Sequence, residues 1–435
     1  MQAVVRAGVL SRARLAPAHL LLVLLLLVLL LLAGCSRSHF ETPELQGDAA
    51  MVAHGGTQRL WVLTKQEEER QVGVGGGGTR NSTSWRLDTF FHFDVQAFDP
   101  VAAKVLWKQR LLTLGDPDAA GTGPSLVIGS DVDARLLGQD GDLVWLLIGN
   151  APFALHAHDG SIAVDAEALQ RINPSLAGLL PSEAKYYGFD RGLVLMAADA
   201  RQWVIRGSGH LAQPYSPPPP PAAPQGPLMS NGVRELAPLL PLGDVPARHV
   251  TLDGQWLGLY TEKEAANAGD DPWGRNLRWP YNVLNEVKPT RRTFWRAQVI
   301  TARNFDERYE RLSELTPIAG APTFLNGRFA KQQGSLDARV LANPEGVLVW
   351  HSNRIDDAGR LALARLDARL ATVWRSELPL SEPGTFNLFA TWWLPAHLVV
   401  VGNQQYEQDG ATRQAPTLVS IDLARGGVQS VRLDQ

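Results

Sequence analysis

The segment between Asp270 and Tyr281 concentrates side chains suited to recognising a partner. Two tryptophans, one tyrosine and two arginines fall within nine residues: Trp273, Arg275, Arg278, Trp279 and Tyr281. Aromatic and arginine side chains dominate the energetic centres of protein interfaces. We therefore predict a binding site at these five residues. The alternative is that Trp273 and Trp279 fold inward and cap a hydrophobic core.

A pair of histidines could in principle hold a metal ion. His156 and His158 are two apart on a predicted strand, so their side chains point to one face. Asp159 follows at once, but it belongs to a predicted hairpin turn. The sequence identifies no third ligand, so the pair is interpreted as surface histidines beside a turn, and no metal site is predicted.

The motifs that mark common enzymes are absent from the sequence. It contains no Gly-x-Ser-x-Gly elbow, no His-Glu-x-x-His helix, no phosphate-binding loop and no paired-cysteine metal site. The 41 basic and 44 acidic residues are interspersed, without the basic stripe that nucleic acid requires. These absences favour a binding or structural protein over an enzyme, and a partner other than nucleic acid.

The N-terminus has the layout of an export signal. Arg6, Arg12 and Arg14 precede thirteen uninterrupted leucine and valine residues, Leu20 to Leu32. This run is short for a membrane span, which needs about 20 apolar residues, and fits the apolar region of a signal peptide. The segment then closes on Leu32-Ala33-Gly34-Cys35, which contains the only cysteine of the chain.

This ending resembles the bacterial lipoprotein signal, in which the cysteine is acylated and the peptide is cut before it. The resemblance implies that the signal segment 1–35 is cut immediately before Cys35, and that acyl chains on the retained Cys35 anchor the protein to a membrane. Ser36 in place of aspartate favours the outer membrane, facing the periplasm. An uncleaved anchor helix is the alternative. Residues 36–50 are short of apolar side chains and are predicted to be a flexible tether to a domain over 51–435.

A strand pattern repeats six times along this domain. Each repeat is a seven-residue run rich in Val, Leu and Trp, and five of the six closely follow Gly, Asp-Gly or Asn-Pro turn residues. The runs are Arg59–Lys65, Asp142–Ile148, Gly192–Ala198, Gln255–Thr261, Gly346–Ser352 and His397–Asn403. Two intervals between run starts are near 50 residues, which is typical of a four-stranded propeller blade, and the others allow loop insertions.

A second pattern places an aspartate at the end of one strand and the next strand a few residues later, in two of three cases with a tryptophan. It occurs at Val95–Asp99 with Lys104–Arg110, at Leu363–Asp367 with Ala371–Arg375, and at Leu418–Asp422 with Val428–Arg432. The aspartate can hold the turn by accepting a hydrogen bond from the backbone two residues on, and the tryptophan can pack the outer strand against its neighbour. These units resemble the repeat of quinoprotein-type (PQQ-like) β-propellers. Asp159-Gly160 and Asp422–Gly427 come closest to the aspartate and glycine of that repeat.

The resemblance implies an all-β fold, a single β-propeller of about six four-stranded blades. A seventh blade is open if the insertions at 213–247 or 262–292 hide strands. Helical spacing predicts a short helix between blades within Asp165–Leu180, and the prolines of 214–227 predict a stiff polyproline excursion. Glu67–Arg70 and Gly75–Gly78 are predicted to form a solvated hairpin extension.

Loop topology gathers the long insertions on one face. In a four-stranded blade, loops joining the second strand to the third open onto the same face as loops joining successive blades. The insertions at 66–84, 262–292 and 404–416 are of the first kind, and those at 114–130, 213–247 and 317–335 are of the second.

These observations together predict a non-catalytic binding or scaffold lipoprotein of the cell envelope, with an envelope protein or a polysaccharide as partner. The first alternative is an enzyme or carrier of a sugar or quinone at the central channel, and the second is a purely structural protein. Many quinone-dependent relatives use adjacent cysteines, which a single cysteine excludes, so no cofactor is predicted.

Overall fold

The part of the chain that the computed structural model describes is almost entirely β-structure, which confirms the predicted all-β class. It comprises residues 38–74, 84–115, 132–218, 225–228, 234–236, 249–252, 255–268, 290–304, 307–330, 346–354, 359–381, 388–408 and 410–435. Its two α-helices are Ala166–Ile172 (α1) and Glu262–Ala268 (α2), and short 3-10 helices lie at Pro174–Leu176 and Ala184–Tyr186.

The first half of the chain forms three antiparallel sheets that follow one another in sequence. Sheet 1 contains β1 (Ser38–Phe40), β2 (Glu44–His54), β3 (Thr57–Val74), β4 (Ser84–Asp99) and β5 (Lys104–Leu114). Sheet 2 contains β6 (Ala134–Asp140), β7 (Leu143–Ile148), β8 (Ala151–His156) and β9 (Ile162–Val164). Sheet 3 contains β10 (Tyr187–Phe189), β11 (Leu193–Met196), β12 (Gln202–Ile205) and β13 (Ala212–Pro214). Strands β2 to β5 pair in chain order in sheet 1. The same holds for β6 to β9 in sheet 2 and for β10 to β13 in sheet 3.

The second half contains three more antiparallel units and two small hairpins. A hairpin of β14 (Gln225–Leu228) and β15 (Arg234–Leu236) comes first. Sheet 4 contains β16 (His249–Leu252), β17 (Gln255–Tyr260), β18 (Arg291–Ala297) and, after a hairpin of β19 (Val299–Asn304) and β20 (Glu307–Leu312), β21 (Thr316–Pro317). Sheet 5 contains β22 (Phe324–Phe329), β23 (Val347–Ser352), β24 (Arg360–Leu366) and β25 (Thr372–Ser381). Sheet 6 contains β26 (Leu388–Trp393), β27 (His397–Gln408), β28 (Ala411–Asp422) and β29 (Val428–Arg432). Pairing of β18 with β22 joins sheets 4 and 5 into one eight-stranded sheet.

The six predicted apolar runs are confirmed as strands: β3, β7, β11, β17, β23 and β27. When the short β1 is left out of the numbering of sheet 1, each of them is the second strand of its sheet. Most of these strands are buried on both faces, because alternate side chains enter the cores on either side. In β3, for example, Trp61 and Leu63 pack with sheet 2, whereas Leu60 and Val62 pack with sheet 6. Two-sided burial explains why the runs are continuous rather than alternating in polarity.

Hydrophobic cores lie between consecutive sheets. One core joins sheets 1 and 2, one joins sheets 2 and 3, one joins sheets 4 and 5, and one joins sheets 5 and 6. A fifth core joins the last sheet to the first, with Val399, Val401 and Leu418 packed against Leu60 and Val62. Contacts of β29 with β5 and of β26 with β2 accompany it. The beginning and the end of the domain therefore pack on one another.

The aspartate turns are confirmed. Oδ1 of Asp99 accepts from the backbone N–H groups of Val101 and Ala102 at 2.9 Å. Oδ1 of Asp367 and of Asp422 accepts in the same way from the residues two ahead, at 2.8 and 2.7 Å. These bonds satisfy turn backbone groups that the strands leave unpaired.

The two tryptophans of these units pack on a glycine turn of the following sheet. Trp107 of β5 lies against Gly160 in sheet 2 and stacks edge-on with Trp61, at 4.9 Å between ring centroids. Trp374 of β25 lies against Gly426 in sheet 6 and donates from Nε1 to the carbonyl of Leu423 at 3.1 Å. The same contact thus recurs at two junctions between sheets.

Several sequence-based boundaries differ from the structure. Residues 38–40 and 44–50 of the predicted tether lie in β1 and β2, where their backbone groups pair with β3 and where Leu45 and Ala49 pack against the core between sheets 1 and 6. The predicted polyproline excursion, 214–227, starts in β13 and ends in β14, and its residues 219–224 lie outside the described residues. The predicted short helix within Asp165–Leu180 is confirmed as α1, whose N-cap Asp165 accepts from Ala168 N.

The described parts of the two insertions that were suspected of hiding a seventh blade hold only short elements. Within 213–247 the structure describes the hairpin of β14 and β15, and within 262–292 it describes α2 and the start of β18. In the described residues of these two insertions, therefore, no additional four-stranded sheet is found.

Candidate functional site

The residues predicted from sequence to carry function lie outside the described residues. This applies to Cys35 and to all five residues of the aromatic loop: Trp273, Arg275, Arg278, Trp279 and Tyr281. The segment that contains the loop connects α2 to β18, and thus joins the second strand of sheet 4 to the third. Of the residues considered as metal ligands, His156, His158 and Asp159 are described.

Two long hairpins extend from one end of the neighbouring sheets 1 and 6. Strands β3 and β4 pair out to Val74 and Ser84, and β27 and β28 pair out to Gln408 and Ala411. Both hairpins join a second strand to a third, as predicted for the insertions at 66–84 and 404–416. We call this the hairpin end of the sheets. The opposite end, where the third strand turns into the fourth, is called the turn end.

A cleft of about 960 Å³ opens between these hairpins. One wall comes from residues 41–49 with β3 and β4, and the other from β27, β28 and the C-terminal residues. Its charged lining residues are Glu41, Glu44, Asp48, Lys65, Glu67, Arg413 and Asp434. Asn403, Gln414, Phe91 and Tyr406 add amide and aromatic groups. The lining combines hydrogen-bonding groups with aromatic surface, as specific binding pockets do.

One wall of the cleft is fixed by a buried ion pair. Asp434 is 5% exposed, and both of its carboxylate oxygens accept from Arg432, at 2.8 and 2.7 Å. The same guanidinium lies 4.1 Å from the centre of the Tyr406 ring and donates to its hydroxyl at 3.2 Å. Hydrogen bonding to Asp434 raises the pKa of Arg432 although its burial opposes the shift. Tyr406 is therefore held in place on the cleft wall by Arg432.

The carboxylates outnumber the cations among the remaining cleft residues. Asp434 is already paired with Arg432, and Glu41 lies 3.2 Å from His39, which leaves Glu44, Asp48 and Glu67 facing Lys65 and Arg413. The ammonium of Lys65 lies over the Phe91 ring, 5.0 Å from its centre. The cleft therefore favours a ligand with cationic or hydrogen-bond-donating groups, although two of its own cations moderate this preference.

A buried polar row stiffens the hairpin beside the cleft. Glu68 is 3% exposed, so the prediction of a solvated extension was wrong at this residue. Its carboxylate pairs with His92 Nε2 at 2.9 Å and accepts three bonds from Arg70, one at 3.1 Å and two at 3.2 Å. The other ring nitrogen, Nδ1, lies 3.0 Å from the Thr113 hydroxyl.

This row links β3, β4 and β5 across the sheet. Burial raises the pKa of Glu68, but hydrogen bonds from Ser38, His92 and Arg70 outweigh it and leave the pKa below its ordinary value. Next to it, Asp94 accepts from Arg110 Nε at 2.7 Å. Because its polar groups are satisfied internally, the extension can remain rigid where it projects beyond the hydrophobic core.

The turn end gathers histidines from two sheets. The ring of His54, from the end of β2, lies 5.8 Å from the ring of His158, which lies 5.6 Å from that of His156. His54 pairs with Asp142 at 3.2 Å, across the junction between sheets 1 and 2. Sequence reasoning missed His54 because it lies about 100 residues before the other two, and no local pattern connects them.

These histidines do not form a metal site as they stand. Among the described residues, no three side chains of His, Cys, Asp or Glu are placed to hold one ion. His158 instead lies 3.0 Å from Asp159, whose pKa is lowered by hydrogen bonds from the backbone and side chain of Ser161. The cluster ties neighbouring sheets together at the turn end.

The described helices are too short or too polar to cross a lipid bilayer. Comparison of the whole chain with models of known protein families, and with curated proteins, finds no match to either.

Proposed function

We propose that this chain is a lipid-anchored protein of the bacterial cell envelope, in which sheets 1 to 6 close into a six-bladed propeller that binds a partner without catalysis. The partner would be an envelope protein or a polymer such as a polysaccharide. The cleft between the two hairpins is the proposed binding site. We propose a binding role for the aromatic loop from Trp273 to Tyr281 as well, because it joins the second strand of sheet 4 to the third, as the two hairpins do in sheets 1 and 6.

Packing between the sheets supports the ring. Within the described residues, five of the six junctions that a six-bladed ring requires have a hydrophobic core, including the junction between the last sheet and the first. First strands also meet one another, since β2 contacts both β6 and β26, and β6 contacts β10. Contact among first strands is what a propeller requires around its central channel.

The observation that carries the binding role is the cleft itself. It lies at the closure between first and last sheets, and both of its walls are strands prolonged beyond the core. The two hairpins project beyond the hydrophobic cores and so contribute little to them. They nevertheless carry the buried polar row of Glu68 and His92. Tyr406 of the second hairpin also contacts the ion pair of Arg432 with Asp434. Structure maintained outside the core is typical of a recognition surface.

Photo-crosslinking in the source bacterium tests this role. A photoreactive amino acid at Tyr406 or Gln414 should give a discrete adduct, because both residues line the cleft. The same amino acid at Lys104 or Arg425, both exposed at the turn end, should not. Equal adducts from both ends, or none from the cleft, would remove the cleft from the proposal.

The aromatic loop and the anchor need separate tests. Partner recovery with the Trp273→Ala/Trp279→Ala double variant should fall while folding is retained, and unchanged recovery would exclude the loop. For the anchor, the wild-type protein should float with membranes after extraction in high salt. A Cys35→Ser protein that still floats would contradict lipidation.

A further inference from the structure

The N-terminal strand runs along the outer part of the β3–β4 hairpin. Ser38 pairs with Arg70 and Phe40 with Glu68, and the backbone N–H of Glu41 donates to the carbonyl of Glu67 at 2.9 Å. Past residue 43 the chain continues as β2, which pairs with β3 from Lys65 down to Thr57. The segment from 38 to 54 therefore follows β3 from its outer part to its beginning at the turn end.

Side chains help to hold the first of these strands in place. The Ser38 side chain hydrogen-bonds to the buried carboxylate of Glu68, and the Phe40 ring lies 6.2 Å from that of His92. Gln66 donates from its side chain to the carbonyl of Glu41 at 3.0 Å. Strand β1 is thus attached to the polar row that stiffens the hairpin.

The direction of β1 determines where the chain leaves the domain. Because β1 is antiparallel to β3, its first residue lies farthest from the core, beside Arg70. From Cys35 to Ser38 there are three residue steps, which span at most about 11 Å when extended. Beyond Arg70, β3 continues for four residues to Val74, a further rise of about 13 Å.

We propose that β1 holds the hairpin end of the domain against the membrane surface, with the turn end facing away. This rests on the proposed lipidation of Cys35. A flexible tether of fifteen residues would leave the domain free to tumble, whereas three residue steps do not reach past the hairpin. The cleft is then presented next to the lipid headgroups, and its partner is engaged there.

Fluorescence quenching on vesicles tests this orientation. The lipidated full-length protein is reconstituted into vesicles of phosphatidylethanolamine and phosphatidylglycerol that contain a headgroup-labelled quencher lipid. A fluorophore is attached through Gln71→Cys or Gln58→Cys, since an acylated Cys35 leaves the introduced thiol as the only free one. Both glutamines are exposed on β3, thirteen residues or about 43 Å apart.

Quenching at position 71 should exceed quenching at position 58 several-fold. Equal quenching, or stronger quenching at 58, in a protein that floats with vesicles would overturn the orientation and leave the anchor intact. A wild-type protein that does not float would instead contradict the proposed anchor.

A tether variant tests the role of β1. Ten glycine and serine residues inserted between Arg37 and Ser38 add about 17 Å of flexible reach. Flotation should persist while quenching at 71 falls toward the value at 58. Quenching that stays unchanged after the insertion would overturn the role of β1 in orienting the domain.

Discussion

The two ends of the sheets are built on different principles. At the turn end, short aspartate turns repeat in sheets 1, 5 and 6, and at two junctions a tryptophan packs on the glycine of the next sheet. At the hairpin end, sheets 1 and 6 carry the longest described strands, a cleft between them and ion pairs whose carboxylates, Glu68 and Asp434, are buried. The repeated turns and tryptophan contacts at the turn end maintain the packing between the sheets. The strands at the hairpin end can therefore differ from one sheet to the next.

The cores between the sheets should show the largest effect on stability. Leu60 is fully buried between sheets 1 and 6, so Leu60→Ala should lower the free energy of unfolding by about 2–5 kcal/mol. Leu106→Ala, at a residue that is 46% exposed on β5, is the matched control and should change it by less than about 0.5 kcal/mol. Denaturant unfolding of both variants measures the difference, and similar losses would show that the first and last sheets are not coupled by this core.

A pair of glycines compares the two ends directly. Gly426 at the turn end and Gly410 at the hairpin end have nearly the same backbone φ, 74° and 76°. A methyl group at Gly426 would lie 2.8 Å from atoms of Trp374 and Ser376, whereas nothing lies within 4 Å at Gly410. Gly426→Ala should therefore cost about 2–4 kcal/mol, from backbone strain and displaced packing.

Gly410→Ala should cost about 1 kcal/mol, because it introduces the backbone strain alone. Thermal unfolding of the two variants provides the comparison. Equal losses would mean that the packing of Trp374 on the turn contributes nothing to the junction between sheets 5 and 6.

These glycines also show which parts of the fold can be predicted from sequence. The turns at Asp99, Asp367 and Asp422 depend on bonds to residues two or three ahead, so their local sequence is sufficient. The second strands are equally predictable, because burial on both faces leaves a continuous apolar run. The contact of Trp374 with Gly426 could be predicted only as far as the tryptophan, since its partner comes from another sheet.

Features that depend on distant residues could not be predicted. Strand β2 was missed because its alternating polar residues and Gly47 interrupt the apolar pattern, and its register shifts between Gln46 and Ala50. The cleft joins residues 41–49 to residues 401–416, which meet only because the last sheet packs on the first. The buried pair of Glu68 and His92 could not be predicted either, because the two residues are distant in sequence. In addition, an acidic run such as Glu67–Glu69 ordinarily indicates solvent exposure.

A buried histidine in sheet 5 should make stability depend on pH. His351 is 2% exposed, and burial lowers its pKa to about 4. Above pH 6.5 the ring is neutral in both folded and unfolded chains, so it has no effect. As the pH falls from 6.5 toward 4, only the unfolded chain takes up the proton, which should destabilise the fold by about 2 kcal/mol at pH 5.

His351→Gln removes the titrating group and should flatten this part of the stability curve. The measurement is the free energy of unfolding of both proteins between pH 7 and pH 5. An equal fall in the variant would assign the pH dependence to other groups.

The smallest effect on stability is expected where the proposed function lies. Tyr406→Phe removes the hydroxyl that accepts from Arg432 but keeps the ring over the guanidinium, so the free energy of unfolding should fall by less than about 1 kcal/mol. If the cleft binds a partner through this wall, the same variant should reduce partner recovery while Gly426→Ala, assayed below its unfolding temperature, should not. The opposite result, with binding sensitive to the turn end and indifferent to Tyr406, would place recognition on the repeating face and reverse the division of roles between the two ends.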